Sequence, residues 1–170
     1  MEKLAIFDVD FTLTSKETLL QLFKFLIKED KKNLKFLPRT AFSGLMYGLK
    51  FYDEKKVKSE GYKIYLISAS PEFYLNELYN IKEVDVIIGT KFSFNEGKFE
   101  RKMVGENCKG EEKVRRLKEY LQENNIEVDY KNSYMFSDSL SDKPLLDLVG
   151  NGYLINYKKN NKDYKILNWK

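Results

Sequence analysis

Leu4-Ala5-Ile6-Phe7 is a short apolar run with no polar alternation, and it stops abruptly at Asp8-Val9-Asp10-Phe11-Thr12. A strand that is apolar on both faces belongs inside a parallel sheet, with helices covering it from either side. The same pattern returns along the chain. Tyr62 to Ile67, introduced by Gly61, reads as a second strand and runs into Ser68-Ala69-Ser70-Pro71. Val84 to Ile88 is a third strand. Ser133 to Phe136 is a fourth, ending in Ser137-Asp138, and Tyr153 to Ile155 is a fifth. Ser70 before Pro71 reads as a hydroxyl cap followed by proline in the first helical turn, opening a helix to about Asn80. Glu111 to Asn124 carries Val114, Leu117 and Leu121 on one helical face. A short helix follows Pro144, and Asn95-Glu96-Gly97 turns a β-hairpin between Lys91 and Glu100. Asp163 to Lys170, with Tyr164, Ile166, Leu167 and Trp169, reads as a last segment docking on the sheet edge. Strands alternating with helices predict an α/β fold with a mainly parallel sheet sandwiched by helices.

One stretch departs from that rhythm. Leu19, Leu22, Phe23 and Leu26 fall on one helical stripe, and Ala41, Phe42, Leu45, Met46 and Leu49 repeat the spacing after Pro38. Two helices inserted after the first strand would form a hairpin that covers something. Phe23, Phe25, Phe36 and Phe42 read as its core.

Composition narrows the chemistry. The 170 residues contain no histidine and a single cysteine, Cys108. Every Ser-His-Asp or Cys-His scheme is therefore excluded, as are imidazole acid/base chemistry and His- or Cys-cluster metal sites. Any metal must be held by oxygen, which points to carboxylates and a hard cation such as Mg²⁺. Without an imidazole to activate it, Cys108 reads as a small buried side chain. The net charge is +4, from 30 Lys and Arg against 26 Asp and Glu. The signs are interspersed, and Glu29 and Asp30 interrupt the basic run from Lys28 to Lys35, so no nucleic-acid stripe is expected. No apolar run is long enough for a membrane span, and the N-terminus enters a strand at once instead of reading as a leader; a cytoplasmic location is the expectation.

Ligands of open parallel sheets sit beyond the carboxyl ends of the strands. Three such ends carry Asp8/Asp10/Thr12, Ser68 and Asp138/Asp142. Asp8, Asp10 and Asp138 would crowd into one crevice. Two carboxylates about 5 Å apart at an effective dielectric near 20 repel by roughly 3 kcal/mol, so something cationic belongs among them. Mg²⁺ fits, with a lysine from the stretch Lys109 to Lys113 adding further positive charge. A cation, a lysine, a serine hydroxyl and helix N-terminal amides favour a phosphate dianion. The first carboxylate would then act as nucleophile and a second as acid and base.

The residues at these strand ends resemble those of a known family. Asp8-Val9-Asp10-Phe11-Thr12-Leu13-Thr14 is similar to the first motif of the haloacid dehalogenase-like superfamily. Leu66-Ile67-Ser68-Ala69-Ser70-Pro71 resembles the second motif as worded in its phosphoserine phosphatase-like branch. Ser137-Asp138-Ser139-Leu140-Ser141-Asp142-Lys143-Pro144-Leu145-Leu146 resembles the fourth. Asn107-Cys108-Lys109-Gly110-Glu111-Glu112-Lys113-Val114 resembles the segment bearing the third-motif lysine. The resemblance implies a Rossmann-like core formed by residues 1–14 and 61–170, with 15–60 as a small helical cap. It implies Asp8 as nucleophile and Mg²⁺ ligand, and Asp10 as general acid/base that also offers the metal its backbone carbonyl. Asp138 would be a further metal ligand, with Asp142 behind it orienting metal-bound water or the lysine. Ser68, Ala69 and Thr12 would serve the phosphoryl group, Thr12 also supporting the loop. The lysine would be Lys113, with Lys109 as the alternative. The implied activity is a Mg²⁺-dependent phosphatase acting on a small phosphomonoester through an aspartyl phosphate. Asp53 to Glu60 holds one apolar residue, Val57, and makes a poor packing helix. Either the cap is short, or residues of the native protein near 52–58 are missing.

Three other readings compete. A receiver-type phosphoacceptor would need an Asp ending a strand between Asp10 and Ser68, and none does. A phosphate-binding or scaffold module of the same fold, with weak catalysis, is the alternative to the enzyme. A membrane-surface protein using the Phe-rich stretch from Leu19 to Tyr52 is the third, and no membrane partner is expected.

Overall fold

The computed structural model describes residues 1–13, 60–79 and 82–168. The expected cap therefore lies outside the described residues, apart from Glu60.

Six strands form one sheet in the order β3-β2-β1-β6-β7-β8. They are β1 (Lys3–Phe7), β2 (Tyr62–Pro71), β3 (Val86–Thr90), β6 (Tyr134–Ser137), β7 (Asn151–Ile155) and β8 (Lys165–Leu167). Every neighbouring pair is parallel, so the fold is the Rossmann-like α/β arrangement expected from the strand pattern. β4 (Phe92–Asn95) and β5 (Lys98–Met103) form a separate antiparallel hairpin. Helices α1 (Glu72–Tyr79), α2 (Glu111–Glu123) and α3 (Lys143–Leu148) complete the described elements, with short 3₁₀ turns at Tyr130–Asn132 and Leu140–Asp142. Among the described residues no helix is long and apolar enough to cross a membrane.

Successive side chains of β1 go to opposite faces of the sheet, and the two cores follow from that. Leu4 and Ile6 join Ile67, Met135 and Leu154 under Val114, Leu117 and Leu121 of α2 and Leu145 and Leu146 of α3. Ala5 and Phe7 join Leu66, Phe136 and Ile155 on the other face, packed by Leu75 and Tyr79 of α1. Phe7 and Phe136 stack at 4.8 Å between ring centres. The central strands are covered on both faces, which explains why their sequences do not alternate.

The second strand and first helix differ from expectation. β2 continues through Ser68-Ala69-Ser70 to Pro71, and α1 begins at Glu72. Pro71 sits opposite Thr90 past a register irregularity, and the Thr90 hydroxyl donates to the Ala69 carbonyl at 2.6 Å. Ser70 is therefore a strand residue, and the helix opens at Glu72, one residue after Pro71. Gly89 is required where β3 abuts the start of α1, because a Cβ there would lie 2.7 Å from the Glu72 Cα.

The hairpin is an outlying piece tied back by aromatic contacts. Phe73 of α1 meets Phe92, Phe94 and Phe99 at 5.4 to 6.3 Å between ring centres. At the far edge β8 pairs with β7, so the last segment does close the sheet.

Candidate active site

All six strands point their carboxyl ends the same way, which gathers the loops after β1, β2 and β6 along the middle of one sheet edge. The Asp8 N–H donates to the Phe136 carbonyl at 2.9 Å, extending the β1–β6 ladder one residue past the strand. Val9 and Leu13 are buried in the core, and the Leu13 N–H closes a turn on the Val9 carbonyl at 2.9 Å. These two apolar anchors fix the loop that bears Asp8, Asp10 and Thr12. Thr12 is buried, and its hydroxyl oxygen accepts from the Asp138 N–H at 2.8 Å. The loops after β1 and β6 are thereby joined.

α2 supplies the cation. Its start follows Gly110, whose φ of +57° is costly for a residue with a Cβ. Lys113 lies in the first turn with 2% of its surface exposed. Its ammonium donates to Asp8 Oδ1 at 2.8 Å and to Asp142 Oδ2 at 2.7 Å. Asp142 Oδ2 also accepts from the Ser137 hydroxyl at 2.8 Å, while Asp142 Oδ1 is buried without a partner. Lys109, the alternative, is exposed, and it is Lys113 that reaches Asp8.

The charges do not balance locally. Burial pushes the Asp8 carboxyl up to about 7; Lys113 opposes the shift, while Asp142 and Asp138 add to it. Burial also raises Asp138, whose charge feels Asp142, Lys113 and Asp10. Burial alone would lower Lys113, but Asp8 and Asp142 hold its ammonium above the ordinary lysine range. Asp138 thus acts on Asp8 and itself feels the charge of Asp10, while Lys113 is the buried ammonium bound to Asp8 and Asp142.

Among the described residues no three or more Asp, Glu, Cys or His side chains are grouped as a complete metal cage. Mg²⁺ does not require one: it keeps several waters and takes one or two carboxylates. Asp8 and Asp138, with the Asp10 carbonyl, are hard oxygen donors in a region of excess negative charge. The donor set suits such an ion.

Ser68 is buried, and its oxygen accepts from the Ser70 N–H at 3.1 Å, which leaves its own O–H to donate elsewhere. Ala69 is half-buried beside it. Ser70 is the residue that sequence reasoning misplaced. Its buried hydroxyl donates to Asp10 Oδ2 at 2.7 Å. The signal was available: Ser68 and Ser70 are two apart, which on a strand means one face. Ser137, given no role from sequence, braces Asp142. Cys108 is fully buried with its thiol pushed up to about 11 by burial, as expected of an inert side chain.

The fold recurs in solved structures. A protein of unknown function from Bordetella pertussis Tohama I superposes with a TM-score of 0.70 at 16% identity, covering 98% of each chain. A substrate-bound phosphoserine phosphatase gives 0.62 at 18% identity over 93% of this chain and 88% of its own. The phosphoserine phosphatase of T. onnurineus gives 0.54 at 17% identity, over 98% and 90%. No curated protein matches the sequence. The family model of haloacid dehalogenase-like hydrolases matches residues 54–147, more than half of the chain and including β2, α2, Lys113 and Asp138. The chain belongs to the haloacid dehalogenase-like hydrolase family.

Proposed function

We propose that the protein is a Mg²⁺-dependent phosphatase that hydrolyses a small phosphomonoester through an aspartyl phosphate on Asp8. The observation that carries this reading is the buried bridge from Lys113 to both Asp8 and Asp142. It holds Asp8 by Oδ1, and among the described residues nothing hydrogen-bonds its Oδ2. A carboxylate fixed by one oxygen and open at the other is placed to attack. Its neighbours Ser68 and Lys113 are donors suited to phosphoryl oxygens.

In the first step Asp8 Oδ2 forms a bond to phosphorus as the bond to the leaving oxygen breaks, and Asp10 delivers a proton to that oxygen. In the second step Asp10 takes a proton from water, whose oxygen attacks phosphorus and releases Asp8. Thr12 keeps the loop of Asp10 against Asp138 throughout. Mg²⁺ held by Asp8, Asp138 and the Asp10 carbonyl would neutralise phosphoryl charge. Asp142 fixes the lysine and, through Ser137, the end of β6.

A panel of small phosphomonoesters, assayed with Mg²⁺, tests the reading. Turnover that disappears with EDTA and in Asp8→Asn is the expected result. Phosphate binding without turnover would instead favour the scaffold alternative, and full activity in Asp8→Asn would remove the nucleophile.

A further inference from the structure

A cavity of about 450 Å³ opens beside the site, lined by Phe11, Asp138, Ile155, Asn156, Tyr157, Lys158 and Lys159. Its size falls within the range of about 300–1,000 Å³ of small-ligand pockets. Neither Ser68 nor Lys113 lines it, so it adjoins the phosphoryl position without being part of it. Asp138 is the shared wall.

Two features mark this cavity as built for an occupant. Phe11 and Asn156 both adopt left-handed backbone, with φ of +57° and +52°. For a bulky residue such as Phe11 that conformation is strained, and strain of this kind collects at functional sites. Phe11 is also 48% exposed, so the strained turn sets an aromatic ring at the cavity instead of burying it. The second feature is charge. Lys158 and Lys159 are exposed, and among the described residues neither has an ion-pair partner. The cation that serves the phosphoryl position, Lys113, is already engaged by two carboxylates. The lysine pair is therefore surplus to the chemistry described above.

We propose that this cavity receives the leaving group of the substrate, and that it selects a flat apolar group carrying a second anionic substituent. Phe11 and Tyr157 would contact the apolar body, and Lys158 and Lys159 the anion. The inference rests on the phosphatase reading and adds the substrate class.

The test compares para-carboxymethylphenyl phosphate with para-ethylphenyl phosphate, two substrates of similar size and reactivity that differ in charge. The wild-type protein is expected to prefer the carboxylated substrate by roughly fivefold or more in kcat/KM at low salt. The preference should reside in KM and shrink as salt is added. In the double variant Lys158→Ala/Lys159→Ala the ratio should approach unity, and in Lys158→Glu/Lys159→Glu it should invert. A thermal melt confirms folding of both variants, whose changes are on exposed side chains. A ratio unchanged by either variant, or an equal rise in KM for both substrates, overturns the proposal. Absence of wild-type turnover on both substrates, with turnover elsewhere in the phosphomonoester panel, overturns this inference alone; absence of turnover on the whole panel overturns the phosphatase reading with it.

Discussion

The Ser70 hydroxyl donates to Asp10 Oδ2 across 2.7 Å, joining the end of β2 to the loop after β1. That hydrogen bond fixes the direction in which the Asp10 carboxylate faces. On the proposed mechanism Ser70 is thereby a positioning residue for the proton that Asp10 would transfer, and the consequence depends on the leaving group. Ser70→Ala should lower kcat/KM about 10- to 100-fold for alkyl phosphates, whose leaving oxygen needs a proton. It should do far less to para-nitrophenyl phosphate, whose leaving group departs without one. Ser70→Thr should restore much of the loss. Steady-state kinetics across a leaving-group series checks this, and an equal loss on every substrate would reduce Ser70 to a packing role.

Lys113 is buried between two carboxylates, so its removal strands both. Lys113→Met should destabilise the fold by about 3–5 kcal/mol, the cost of leaving buried charge uncompensated, and abolish turnover. The loss should be smaller in mildly acidic buffer. Asp8, pushed up to about 7 by burial, takes up a proton there and removes part of the repulsion. Denaturant titrations of metal-free protein at several pH values measure it, and a loss that does not vary with pH would contradict the charge explanation.

Glu112 anchors the other edge of α2. It pairs with Arg115 and with Arg116, whose buried guanidinium also donates to the carbonyls of Gly89 at 2.9 Å and Glu106 at 2.6 Å. Its hydrogen bond to Arg115 leads the interactions that hold the Glu112 carboxyl down to about 2, against the opposing effect of burial. A depressed carboxylate stabilises the fold above its ordinary range near 4.5 and loses that contribution as pH falls toward 2. The stability gap between wild type and Glu112→Gln should accordingly be constant above about pH 5 and close below it. Unfolding free energies measured from neutral to acid pH decide this.

Much of the fold and part of the site were legible because the signals are local. Leu4–Phe7 is apolar without alternation since both faces of β1 are covered, and Asp8 follows at the carboxyl end of the strand, where it is still buried. The lysine was ambiguous for a reason the helix resolves. Lys113 lies three and four residues before Arg116 and Leu117, all three buried on one side of α2, whereas Lys109 precedes the left-handed Gly110 and lies outside the helix. Ser70 reads as a helix cap from sequence because Ser-Pro is a strong helix-start signal. What overrode it was tertiary: pairing of Pro71 with Thr90 across the sheet and capture of the hydroxyl by Asp10, sixty residues earlier. The lysine pair at 158 and 159 is silent in the sequence, because nothing there locates its loop relative to Asp138.

That loop, between Ile155 and Lys165, is pinned at both ends by strands of one sheet: the Asn156 N–H donates to the Leu167 carbonyl at 2.8 Å, and Tyr164 engages Lys143 and Asp147 of α3. Its tip can therefore be rewritten without disturbing the reaction centre. If the proposed leaving-group cavity holds, descendants of this chain could exchange one clientele for another through a handful of codons in this loop, with the strand ends that bear Asp8, Ser68 and Asp138 left as an inherited constant.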